Sequence, residues 1–259
     1  MPAVKARARL LAALFVIYIS SQGIAVGSQS VSISAAFAPK QLGATTAVTL
    51  GFRVTAGAGR VPSPLIGVDF HYPADLGLAR SELGVASCAI APLEADGPAV
   101  CPPNSIMGSG SARVAIPVGG DVQAETANIA LLAGPPQENF VRLLVAITGK
   151  SPVIARVVMS SLLLDGHLQL TAPLVESLPE GPNVSFVSLS VTLGGNLTYF
   201  EHRRGKVVAY RPKGVALPPT CPRGGFHFSG RFSFEDGTQA YARTTVACPR
   251  RVSTKRPHF

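Results

Sequence analysis

Tryptophan is absent from this chain of 259 residues, methionine occurs three times, and charged side chains make up only 14% of it. A sequence so poor in charge and 47% hydrophobic can bury a sizeable core, which excludes a disordered protein. It contains no convincing amphipathic helix and no alternation of strand-like with helix-like runs. A helical bundle and a parallel α/β sheet are therefore excluded. No unbroken apolar run is long enough to make a convincing transmembrane helix. The oiliest stretch, FVRLLVAITGKSPVIARVVMSSLLL from Phe140 to Leu164, is interrupted by Gly149-Lys150-Ser151-Pro152 and holds Arg142 and Arg156, which a membrane helix would carry into hydrocarbon.

Chemical motifs are equally sparse. None of the four cysteines sits in a Cys-x-x-Cys, which disfavours redox and zinc chemistry. The 14 carboxylates are scattered singly, so no glycosidase pair can be named. Gly149-Lys150-Ser151 imitates the end of a phosphate loop, but the loop's first glycine would fall on Leu144, and Pro152 comes directly after it. Ser109 lacks the outer glycines of a nucleophile elbow. The basic runs lack interleaved aromatics, which argues against nucleic acid.

What is present points to strands. Twenty-six glycines and 22 prolines punctuate segments in which apolar and polar residues alternate. Val31, Ile33, Ala35 and Phe37 share one parity; so do Val48, Leu50, Phe52 and Val54; so do Ile66, Val68, Phe70 and Tyr72. Ala112, Val114 and Ile116 continue the pattern, with a strand over 128–133 after them. Within the oily stretch, Val141, Leu143, Val145 and Ile147 alternate with Arg142 and Thr148; after the turn, Val153, Ala155, Val157 and Met159 oppose Arg156. Two neighbouring strands are expected there. Segments 167–175 and 184–193 come next, the latter with Val187, Leu189, Val191 and Leu193 inward.

Near the C-terminus, Phe226, Phe228, Phe232 and Phe234 share a parity with Gly230, and Ala240, Ala242, Thr244 and Val246 form the facing set. A two-residue Asp236-Gly237 loop would set Phe232 against Tyr241 and mix the faces. A three-residue loop of Glu235, Asp236 and a left-handed Gly237 pairs Phe232 with Ala240 and Phe228 with Thr244, and leaves Arg231 opposite Tyr241 and Ser229 opposite Arg243 on the outer face. About eleven such segments predict an all-β fold, an antiparallel β-sandwich of immunoglobulin-like or jelly-roll-like type. One irregular segment, 76–110, is braced by cysteines and has room for a helical turn near Pro92 to Ala95. No repeat of 20 to 50 residues is present, apart from Cys-Pro with Ser-Gly at the same offset after both Cys101 and Cys221.

The first 27 residues predict an export signal: Lys5, Arg7 and Arg9, then ten uncharged apolar residues from Leu10 to Ile19, then Ala25-Val26-Gly27 for cleavage after Gly27. The β-domain is then expected over 28–249 and a basic, disordered tail over 250–259, with no transmembrane segment left after cleavage. Export permits disulfides, and local pairing, Cys88 with Cys101 and Cys221 with Cys248, is favoured among three possibilities. Asn183 and Asn196 head glycosylation sequons.

Charge is unevenly spread. Residues 28–200 hold 8 basic and 11 acidic groups, residues 201–259 hold 12 and 3. Arg203, Arg204, Lys206, Arg211 and Lys213, with Arg231, Tyr241 and Arg243 on the hairpin's outer face and the tail's Arg250, Arg251, Lys255 and Arg256, form the candidate binding surface for an anionic cell-wall polymer or glycan. Asp69 and His71, two apart on an outward face, are the alternative: a secreted hydrolase site, or half a metal site. No third partner with recognisable spacing accompanies them, so no catalytic residue, metal or cofactor is assigned.

The stretch HYPADLGLA, then Cys88, then CPPNSIMGSG from Cys101 to Gly110, resembles a module of uncharacterised secreted β-rich proteins of high-GC bacteria, whose loose pattern is a proline, a cysteine and Cys-Pro-x-x-Ser-x-x-Gly. The resemblance implies an exported protein of the envelope or extracellular space and carries over no active site.

Overall fold

The computed structural model describes residues 29–57, 60–77, 83–138, 140–150, 154–195, 198–210 and 214–249; the expected leader and basic tail lie outside them. Most of the alternating sequence becomes strand: β1 Ser30–Ala38, β2 Thr45–Thr55, β3 Leu65–His71, β4 Ile106–Val118, β5 Asp121–Gln137, β6 Phe140–Thr148, β7 Arg156–Leu164, β8 His167–Thr171 and β9 Ser185–Leu193. After them come β10 Tyr199–Arg203, β11 Lys206–Tyr210, β12 Val215–Ala216, β13 Phe226–Phe234 and β14 Gln239–Val246. The strand expected over 167–175 ends at Thr171, Ala155 precedes β7, and Val153 lies outside the described residues. The one α-helix of the described residues, α1 Ile90–Asp96, lies in the irregular segment, over the turn anticipated there.

The all-β, antiparallel prediction holds, but the strands do not form two stacked sheets. Eleven of them hydrogen-bond in one continuous order, β1-β2-β9-β4-β5-β6-β7-β8-β3-β13-β14, with β12 added to β2. The last strand returns alongside the first, although no ladder joins them among the described residues. The sheet is thus a nearly closed barrel. Both architectures need one apolar and one polar face per strand, so alternation alone cannot separate them; cumulative twist over eleven strands brings the two edges together and shields both.

Apolar side chains point inward and polar ones outward. The outer face of β1, β2 and β9 carries Ser32, Ser34, Thr49, Arg53, Ser188, Ser190 and Thr192, while Val48, Val191 and Leu193 face the interior. That polarity is the inverse of a barrel that spans a membrane. The wall of β5, β6 and β7 is different because it is covered on both sides. The segment braced by the Cys88–Cys101 disulfide lies over it, so Leu132, Leu144 and Ala146, on the outward parity, are also fully buried against Leu93. This second burial explains why the Phe140–Leu164 stretch reads as continuously oily.

The β13–β14 hairpin has the register expected from its parities. Phe232 pairs with Ala240, Phe228 with Thr244, Arg231 with Tyr241 and Ser229 with Arg243, and Gly237 takes φ +79° in the turn. The second disulfide, Cys221–Cys248, forms beyond the end of this hairpin with Cα atoms 5.8 Å apart. Closing loops of 13 and 27 residues stabilises by roughly 3 kcal/mol each in the chain-entropy account.

Two of the register shifts reverse an expected face. The β3–β13 ladder shifts between Ser233 and Phe234, which turns Leu65 inward and leaves Ile66, expected inside, exposed. The β4–β9 ladder shifts between Arg113 and Val114, so Phe186 rather than the expected Val187 lines the interior. Each extra residue reverses the parity of the strand beyond it.

Candidate functional site

The barrel is packed at its ends and hollow between them. Along the inward face of β2, Val48 and Val54 are buried to 1% and 2% exposure, whereas Leu50 and Phe52 between them stay partly exposed. The same holds for Phe70, Leu168, Leu170 and Leu189 on neighbouring strands. These side chains lie on the inward parity of their strands and pack against the core. They face a cavity of about 120 Å³ lined entirely by apolar side chains and one glycine, Val145 and Met159 among them.

Aromatic side chains pack together toward both ends. At one, Phe37 meets Phe226 edge-on at 5.1 Å and Phe228 at 6.2 Å, with Leu217 and Val246 beside them. Toward the other, Phe52 meets Phe232 at 5.2 Å and Phe234 packs with Val54, Leu65 and Ala240. A second hollow of about 60 Å³ lies toward this latter end, under the 172–184 segment that crosses from β8 to β9. It shares Leu65, Met159, Ala172 and Phe186 with the central cavity. Leu174 and Leu178 of the crossing segment are exposed, and Glu125 in the hollow's lining accepts the Lys150 backbone N–H at 2.5 Å. The crossing is held by short-range hydrogen bonds, Val184 N–H to Val175 O at 2.8 Å and Ser177 N–H to Pro182 O at 3.0 Å.

A polar cluster occupies the outer wall. Four strands in register place two rows of side chains side by side: His167, His71, Ser229, Arg243, and Gln169, Asp69, Arg231, Tyr241. His167 Nε2 donates to Asp69 Oδ1 at 2.5 Å, and Arg231 Nη2 donates to Asp69 Oδ2 at 3.0 Å. His71 stacks on His167 with ring centroids 4.8 Å apart, its Nε2 3.5 Å from the same Asp69 Oδ1. The hydrogen bond from His167 and the positive charges nearby hold the Asp69 carboxyl below its ordinary range, against the opposing effect of burial.

The residues singled out in the sequence separate into two groups on the surface. Asp69 and His71 adjoin Arg231, Tyr241 and Arg243 in one shallow depression. Arg203 ends β10, Arg204 and Lys206 stand exposed at the β10–β11 turn, and Arg211 and Lys213 lie outside the described residues. Cys88, Cys101, Cys221 and Cys248 are all in disulfides. Sequence reading missed His167 and the cavity. His167 is 96 positions from His71 and reaches it only through the β3–β8 ladder, a pairing that no local pattern announces. Against known proteins, no family model, no curated protein and no solved structure matches this chain.

Proposed function

We propose that this is an extracytoplasmic, non-enzymatic binding protein that holds a small apolar molecule, or the apolar end of a lipid, inside its barrel. The observation that carries the reading is the run of inward leucines and phenylalanines left partly exposed around an apolar cavity. A dry cavity of about 150 Å³ accommodates a benzene ring, so the central hollow suits one ring or a short acyl segment. Each methylene transferred into it contributes about 0.8 kcal/mol. Export is supported by the leader pattern and by two disulfides, which persist in oxidising compartments.

Titration of the mature protein with a fluorescent apolar probe, and then displacement with fatty acids of increasing length, tests this. We expect saturable binding of one probe per chain and at least tenfold weaker binding when Val68→Phe and Val191→Phe together fill the cavity. Equal binding by the filled variant, or none by the wild type, rules the reading out.

A second reading concerns where the protein resides. Arg204 and Lys206 are exposed on the β10–β11 hairpin together with Phe200, Val207 and Val208, which favours contact with an anionic envelope polymer or glycan. Salt-sensitive retention on purified cell wall that Arg204→Glu with Lys206→Glu abolishes is the expected result; retention indifferent to salt and to both charges excludes it. The hydrolase alternative is the weaker one. Asp69 and His71 lie on a barrel wall whose neighbouring backbone N–H groups are engaged in ladders, which leaves few donors for a developing oxyanion.

A further inference from the structure

The outer-wall cluster has a feature that simple surface pairing leaves unexplained. One histidine suffices to satisfy Asp69 Oδ1, and His167 does so at 2.5 Å. His71 nevertheless stacks on His167 and aims its Nε2 at the same oxygen from 3.5 Å, too far for a good hydrogen bond, on a side chain that is 60% exposed. Two imidazole nitrogens and a carboxylate oxygen thus converge, all within 4.8 Å of one another.

We propose that Asp69, His71 and His167 form a binding site for a late first-row divalent cation of the zinc class. Such an ion bonds imidazole and carboxylate at about 2.0–2.1 Å, which in tetrahedral geometry separates ligand atoms by about 3.3–3.5 Å. The His71–Asp69 pair has that spacing already. The His167–Asp69 pair, now a hydrogen bond, opens by somewhat under 1 Å as the metal replaces the bridging proton, and the two imidazole nitrogens, as much as 4.8 Å apart, draw together by up to about 1.4 Å; side chains on a solvent-facing wall can make both shifts. Two paired strands supply the ligands. His71 and His167 are directly opposite in the β3–β8 ladder, and Asp69 is two residues before His71 on the same face.

Arg231 completes the arrangement from β13. Its guanidinium holds Asp69 Oδ2 at 3.0 Å and so leaves Oδ1 turned toward the two imidazoles, as outer partners of metal-binding carboxylates do. Its charge, with that of Arg243 two strands from His71, works against a cation and restricts the site to ions that bind imidazole strongly; a hard, oxygen-seeking ion such as Mg²⁺ or Ca²⁺ gains too little there. With three protein ligands on an open wall, the remaining positions face solvent and admit water or a small anion.

The test is calorimetric titration of the full mature chain, free of any histidine tag, with Zn²⁺ at pH 7.5, and a parallel Co²⁺ titration read by its visible absorption. His71→Ala is the decisive variant, because an exposed ring is removed without opening the core, and His227→Ala, an exposed neighbour two residues along β13 from the Ser229 that faces His71, is the control. We expect one equivalent of Zn²⁺ per wild-type chain, a Co²⁺ band from mixed nitrogen and oxygen ligands, and at least tenfold weaker binding in His71→Ala, in His167→Gln and in Asp69→Asn, with His227→Ala unchanged. Failure of the wild type to bind Zn²⁺ more tightly than His71→Ala overturns the site, as does an equal loss in His227→Ala. A thermal scan gives an independent readout: Zn²⁺ should raise the melting temperature of the wild type and leave that of His71→Ala unmoved.

Discussion

The aromatic ends and the leucine-lined middle of this barrel are built from the same strands and the same inward parity, yet they pack to different densities. Phe226, Phe228, Phe232 and Phe234 on β13 are all exposed by 1% or less, whereas Leu50 and Leu189, a few residues from buried neighbours on their own strands, are not fully buried. An eleven-stranded wall encloses more volume than single side chains from opposite sides can fill, so rings packed against one another toward the ends fill it while leucines, valines and more widely spaced rings at its waist leave space. Inward alternation therefore specifies a face, and side-chain size decides whether that face encloses a core or a container.

Substitutions at the two places should respond in opposite ways. Phe228→Ala removes a ring from the packed end, against Phe37 and Phe70, and should cost about 3–5 kcal/mol in chemical denaturation; a loss below about 1 kcal/mol would mean that the end is as loose as the middle. Tyr72 belongs to the packed part as well. Its hydroxyl donates to the Leu164 carbonyl, and burial, with the charge of Asp165 as a lesser cause, pushes its pKa up to about 12. Because the unfolded tyrosine ionises near 10 and the folded one does not, stability should fall as pH rises from about 10 toward 12, by up to about 2–3 kcal/mol at 1.36 kcal/mol per unit. Tyr72→Phe should flatten that part of the profile, and an unchanged slope would place the hydroxyl in water. The smallest effect is expected at the waist. Val191→Phe, an enlargement that costs about 1–3 kcal/mol in a filled core, should shift stability by less than about 1 kcal/mol because the ring enters space already open; a full overpacking penalty would show that the middle is solid.

Local patterns disclose much of this molecule and leave out what depends on distant pairing. The β13–β14 register comes from four phenylalanines, one turn glycine and the requirement that faces not mix, and the β6–β7 pair comes from parity around a Gly-Lys-Ser-Pro break. Both disulfides join cysteines near in sequence, which is the pairing that proximity favours. The barrel is not legible in this way, because β2 against β9 and β3 against both β8 and β13 are contacts between segments far apart in the chain, and a sandwich satisfies the same alternation. The bulges that turn Ile66 outward and Phe186 inward are single-residue insertions in a ladder, invisible until the partner strand is known. The outer-wall cluster shows the same division. Asp69 and His71 stand out as neighbours on one strand, and Arg231 is expected opposite Tyr241, but the β3–β13 ladder that brings these pairs together and the β3–β8 ladder that supplies His167 are both long-range.

Xenon offers the most direct test of the container, since it enters dry apolar cavities without needing any polar contact. A crystal of the protein pressurised with xenon should show density at the waist of the barrel, bordered by Leu50, Val68, Val145 and Leu189. Density confined to surface sites, with those four side chains collapsed onto one another, would contradict the account.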